Sequence, residues 1–293
     1  MEEKKESFFE KNKVALGIAV AGLIALGGFI AFKAGSSNPA PKKDQGQSVK
    51  SSGVENSGVS QGSKTSGASN AAYDAKVNLL RGKIANETQK GELEMNTILL
   101  MHEALIDIAY EGFGELVTNN RAERRKVLGK DDAAYENFVI KGAEEIEKLI
   151  SAKMKQVTED CGCSMALYER SCQNWATKNP QFAMLSILII EKMKIKIPSA
   201  NKGEITLENA KDMMKFQIQE FPRIDIKVKN MQVYPLVKQS WLGDIVAEKF
   251  GFEEEDMAKI KGLELDPEIR QLAQQLQTLI QMDAISVMGR QGM

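Results

Sequence analysis

Residues 187–197 read Ile-Leu-Ile-Ile-Glu-Lys-Met-Lys-Ile-Lys-Ile, and the fold class turns on them. Met193, Ile195 and Ile197 alternate with Lys192, Lys194 and Lys196, the period of a strand with one buried face. A second alternation lies downstream, where Ile224, Ile226 and Val228 are interleaved with Asp225, Lys227 and Lys229. Met231 and Val233 switch parity, which predicts a bulge or tight turn near Asn230. Two such segments predict a small antiparallel sheet. Everything around them has helical spacing, so the expected class is α+β, predominantly helical.

Upstream, Asp74 to about Lys90 is a weakly patterned helix. From Glu92 to Val117, Ile98, Met101, Leu105, Ile108 and Leu116 recur at helical spacing with a gap at Gly112. Asp131 or Asp132 caps a long helix to about Thr158, with Tyr135, Phe138, Val139, Ile146, Ile150 and Met154 on its apolar face. Between these helices stands a basic link of Arg121, Arg124, Arg125 and Lys126. A solvated loop is the plain reading, and a site for an acidic partner the sharper one. A short helix from about Ser164 to Lys178 follows Cys161-Gly162-Cys163. Downstream of the first alternation, Thr206 caps a helix that Pro222 ends. Gln239–Phe250 closes on Gly251, and a short helix from Glu253 closes on Gly262. Asp266-Pro267-Glu268 combines an N-cap, a proline at N1 and an acid in the first turn. The helix it opens carries Ile269, Leu272, Leu276 and Leu279 on one face. That face either docks on its own domain or meets a partner helix.

The first seventy residues have a different character. A charged head, residues 1–13, precedes nineteen uncharged residues, Val14 to Phe32. As a helix these span about 28 Å, close to the roughly 30 Å of a bilayer core. The expectation is a single N-terminal transmembrane helix. Phe32 would fall at −3 for signal cleavage after Ala34 and disfavours it, so the span is read as an uncleaved signal anchor. Gly17, Ala21, Ala25 and Gly28 form a small-residue stripe along it, suited to helix–helix packing and homo-oligomerisation. Lys4, Lys5, Lys11 and Lys13 face Lys33, Lys42 and Lys43 across the span, a slight lean toward N-in. Residues 33–70 form a Ser/Gly-rich linker; Ala34–Asn70 holds ten Ser and six Gly, without an aromatic residue, Leu, Ile or Met. Such a composition predicts a disordered tether. The organisation is therefore a cytoplasmic head (1–13), a span (14–32), a linker (33–70) and an extracytoplasmic domain (71–293), with a possible subdivision near residue 179.

Residues 71–293 are long enough for a sizeable core, and their net charge is −4. A near-neutral domain without a basic tract argues against nucleic acid as the ligand. His102 is the only histidine, so imidazole-based metal sites and Ser–His or Cys–His pairs all depend on it. It lies at the edge of an apolar face, where a packing role is the simpler reading. Glu103, Asp107 and Glu111 form an acidic stripe at four-residue spacing, the raw material of a wall-cleaving carboxylate pair or of an ordinary solvated face. In an oxidising compartment Cys172 is expected to pair with Cys161 or Cys163, leaving one thiol over. No catalytic residue, cofactor or metal is expected.

The chain therefore reads as a non-enzymatic structural or assembly component of a bacterial envelope complex, of secretion, conjugation or pilus type. It would sit in the inner membrane with its C-terminal domain in the periplasm, docking other envelope proteins. The alternative class is a membrane-tethered periplasmic enzyme acting on cell wall or on disulfides.

Overall fold

The computed structural model describes residues 70–195, 197 and 203–291. The expected span, with Gly17, Ala21, Ala25 and Gly28, and the linker up to residue 69 lie outside the described residues. Among the described residues, no helix is long and apolar enough to cross a membrane. Regular structure there is entirely helical: α1 (Ala71–Lys90), α2 (Met95–Val127), α3 (Asp132–Asp160), α4 (Met165–Lys178), α5 (Pro180–Ile195), α6 (Leu207–Glu220), α7 (Tyr234–Phe250), α8 (Glu254–Met257) and α9 (Pro267–Gln291). Single 3₁₀ turns occupy Phe221–Arg223 and Leu263–Leu265.

The expected antiparallel sheet is overturned, because the described residues contain no strand. The first alternating segment is mostly the body of α5. Asn179 Oδ1 accepts from the Gln181 N–H at 3.0 Å, and Pro180 opens the helix with its φ already set. Ile189, Met193 and Ile197 are buried at spacings of four, and Phe182 lies seven residues before Ile189. Residues 189, 193 and 197 fit both a period of two and a helical face. Three alternations are too few to separate the two, and a neighbouring helix decides. α5 lies along α2, where Lys192 pairs with Glu103 at 3.5 Å.

The second segment does run extended, yet has no strand beside it. Ile224 and Ile226 are buried and Val228 half-buried, while Asp225, Lys227 and Lys229 are exposed. Its backbone is held by a helix. The Lys227 N–H donates to Asp132 Oδ2 at 3.0 Å. The Lys229 and Asn230 N–H groups donate to the two carboxylate oxygens of Glu136, at 2.8 and 2.9 Å. Asp132 and Glu136 stand one turn apart on α3, about 6 Å along its axis. Alternate residues of an extended chain are about 6.6 Å apart. The two repeats match, so two acids of one helix can serve one edge of the segment. Glu136 is 2% exposed and tolerates that burial because both oxygens accept hydrogen bonds.

Three apolar cores are built from these helices. The largest lies among α1–α5 and includes Leu80, Ile98, Met101, Leu105, Phe113, Val157 and Met193. A second gathers Tyr135, Val139, Phe221, Ile226, Val237 and Leu242. A third holds Met213, Met214, Val246 and Ile269 between α6, α7 and α9. α2 runs unbroken through Gly112, and its 33 residues make a rod about 50 Å long. It packs tightly on α3 at Gly142, where a Cβ would lie 2.5 Å from the Asn120 side chain. Asn120 uses that space to donate to the Phe138 carbonyl at 2.7 Å.

The helix ends follow their local signals. Asp131 accepts from the Ala134 N–H, Ser164 from Leu167, and Asp266 from Ile269. Thr206 and Asn209 form a reciprocal capping box. Gly251 closes α7 at φ 73°, a conformation that favours glycine.

Candidate functional site

The densest polar cluster joins the carboxyl end of α2 to α7 and α8. The arginines expected in a solvated link lie within the last turns of α2 and point inward. Arg124 forms a bidentate pair with Asp244, Nε to Oδ2 at 2.6 Å and Nη2 to Oδ1 at 3.0 Å. Arg125 Nε donates to Asp244 Oδ1 at 2.8 Å, and its two terminal nitrogens reach Glu253 at 2.8 Å each. Arg121 Nη2 lies 2.6 Å from Glu255 Oε1. Tyr135, on α3, donates its hydroxyl to Asp244 Oδ2 at 2.6 Å. Asp244 is fully buried. Burial acts to raise its pKa, but Arg124, Arg125 and the Tyr135 hydroxyl outweigh burial and hold it below the usual carboxylate range. Burial and the Asp244 charge push the Tyr135 phenol far above its ordinary value. The cluster is therefore a charged interlock between four helices.

Beside it, Gln217 on α6 donates to Glu254 Oε1 at 2.7 Å. Glu254 is half-buried as a residue, but desolvation of its carboxyl, with the Glu255 charge alongside, pushes its pKa up to about 8. Sequence reasoning missed Asp244, Tyr135, Glu253, Glu254 and Glu255. One signal was available: Asp244 is a lone acid amid Trp241, Leu242, Ile245 and Val246. A charge inside an apolar run needs a partner, and Arg121, Arg124 and Arg125 share one helical face.

A second cluster surrounds His102. Its Nε2 lies 2.7 Å from the Tyr168 hydroxyl, with the rings edge-on. Burial pushes its pKa down to about 4, so the ring is neutral. Nδ1 has no hydrogen-bond partner among the described residues. Tyr168 is also hydrogen-bonded to Cys172. Cys161, Cys163 and Cys172 are all free thiols. Burial raises each of them, Cys161 and Cys163 to about 11 and Cys172 to about 12. At neutral pH each is a thiolate about once in ten thousand or less, which suits neither nucleophilic nor redox work.

The acidic stripe of α2 is engaged by its neighbours. Lys76 from α1 pairs with Asp107 at 2.6 Å, Lys192 from α5 with Glu103, and the Tyr110 hydroxyl donates to Glu111 at 3.1 Å. No group of three or more His, Cys, Asp or Glu among the described residues is placed to hold a metal ion. On α9, Ile269 is fully buried, Leu272 packs against the third core, and Leu276 and Leu279 pack against the second. Exposed apolar side chains lie elsewhere: Leu265 is 73% exposed, Ile285 68%, Met282 64% and Leu79 56%, with Met231 and Leu207 less so. A shallow groove of about 540 Å³ lies between residues 129–133 and 227–229, with Lys130, Lys227 and Lys229 on its walls.

Compared with protein-family models, curated proteins and solved structures, the chain matches none.

Proposed function

We propose that this chain is a single-pass, membrane-anchored structural or assembly component of a bacterial envelope complex, acting by protein–protein docking. One observation carries the docking role: Met282 and Ile285 stand three residues apart on one face of α9, both largely in water. Covering the pair is worth about 3 kcal/mol. A paired aliphatic surface of this kind suits a partner better than solvent. The anchoring role rests on the sequence alone. Val14–Phe32 has the length and composition of a span, and the Ser/Gly run would space the helical body from the bilayer. With the N terminus inside, that body is periplasmic.

A membrane-tethered enzyme is the competing class. The carboxylates of α2 are engaged by lysines and a tyrosine, and burial suppresses the thiolates, so no observation favours it. In-cell crosslinking followed by detergent extraction tests the proposal. The full chain should pellet with membranes in crosslinked heteromeric species, and M282D/I285D should lose those species with thermal unfolding unchanged. A full chain that stays in the soluble fraction, or a crosslinking pattern identical in wild type and variant, would overturn it.

A further inference from the structure

The extended segment Ile224–Lys229 has two edges, and only one is used. The N–H groups of Lys227 and Lys229 point toward α3 and are taken by Asp132 and Glu136. Ile226 and Val228 point theirs the opposite way, because N–H direction alternates along an extended chain. Neither of these N–H groups has a partner among the described residues. Ile226 is 5% exposed because its side chain lies in the second core, which leaves its backbone edge as the part that faces away from α3. The segment therefore has the side-chain alternation of a strand, one satisfied edge, and one row of free donors.

We infer that this free edge pairs with the same segment of a second copy of this chain, forming a two-stranded antiparallel ribbon about a two-fold axis through Ile226. The charge pattern singles out that occupant and that register. Centring on Ile226 sets Ile224 opposite Val228 and, on the outer face, Asp225 of each copy opposite Lys227 of the other. Both outer pairs are oppositely charged, and opposite charges at facing positions support a ribbon. Shifting the centre to Lys227 sets two lysines face to face, which opposes that register. In the Ile226-centred register, Ile226 faces Ile226, and the pair exchanges both N–H···O=C bonds. The Val228 N–H meets the Ile224 carbonyl of the other copy. These are the donors left over within one chain. The Ile224 N–H is already held by the Glu220 and Phe221 carbonyls, so the ribbon ends there. The apolar face of each strand stays on its own core, and Asp132 and Glu136 go on serving the outer edges. The association is independent of the membrane span and of the Met282–Ile285 face.

Sedimentation of the full chain in detergent micelles, combined with disulfide trapping, tests this. Wild type should sediment as a dimer. Lys227→Glu sets acid against Asp225 at both positions and should raise the dissociation constant at least tenfold. The double exchange D225K/K227D restores both pairs and should restore the dimer. D225C/K227C should give a covalent dimer on mild oxidation, while wild type, with only its native thiols, should give none. A monomer at 50 μM would overturn the inference. So would a dimer indifferent to Lys227→Glu, which would point to another interface, or D225C/K227C chains that oxidise without crosslinking, which would leave the free edge to solvent or another protein. Circular dichroism and thermal midpoints matching wild type exclude misfolding as the cause of any loss.

Discussion

His102 shows what one buried titratable group does to a fold. Held neutral against Tyr168, it binds its proton near pH 4 in the folded chain and near 6.5 when unfolded. The unfolded state therefore takes up the proton first as the solution is acidified. The stability tied to His102 is intact above pH 6.5 and drains away as pH falls toward 4, by about 3 kcal/mol in total. Glu254 runs the other way: its raised pKa favours the folded state at low pH and costs stability as pH rises through about 8. Comparing wild type with His102→Gln isolates the histidine. Urea unfolding between pH 4 and 6.5 should show wild type losing about 3 kcal/mol more than the variant; parallel pH profiles would show that burial of this ring is not what sets its proton affinity. The packing role of His102 was legible from its place beside an apolar stripe. Its partner was not, because Tyr168 lies 66 residues away and no local spacing links them.

At the scale of elements, the interlock of α2, α3, α7 and α8 is the most demanding feature. Three side chains, Arg124, Arg125 and Tyr135, direct four hydrogen bonds to one fully buried carboxylate. A buried pair broken from one side leaves the other charge stranded, at a cost of about 3–5 kcal/mol. Asp244→Ala should lower unfolding free energy by that amount in urea titrations, whereas Lys192→Ala, at an exposed pair, should change it by less than about 1 kcal/mol. Equal effects from the two would mean that the buried cluster is not a stability element. Asp244 has a depressed pKa, so its contribution is present above the ordinary carboxylate range and is lost on acidification below it. Helix starts were readable because each depends on a few adjacent residues: Asp131, Ser164, Thr206 and Asp266 all cap as their positions suggest. The class was misread where two periods coincide, at Ile189, Met193 and Ile197. The inward turn of Arg121–Arg125 was hidden because α2 is longer than its apolar pattern, its last turns being held by ions.

For the whole molecule, the proposed anchor makes the side of the bilayer on which the helical body sits the quantity to measure. The N-in proposal expects a C-terminal alkaline phosphatase fusion to the full chain to be active and a C-terminal fluorescent reporter that folds only in the cytosol to be dark. The reverse pattern would place the body inside the cell. The joining of three cores into one body was not legible, because it depends on contacts between residues more than a hundred positions apart, such as Arg124 with Asp244.

The entry point of α1 also determines how the body would bear load. Asn70 donates to the Asp107 carbonyl at 2.6 Å, Tyr73 reaches Asp160, and Lys76 holds Asp107. A pull on the chain ahead of Asn70 is therefore delivered to the middle of α2 and the end of α3 at once. Three side-chain attachments over two turns share the force before α1 can peel. Beyond them, the rod of α2 carries it to the arginines seated on Asp244 and Glu253. The grip on the chain entering α1 and the grip on the far half of the molecule are two ends of one beam.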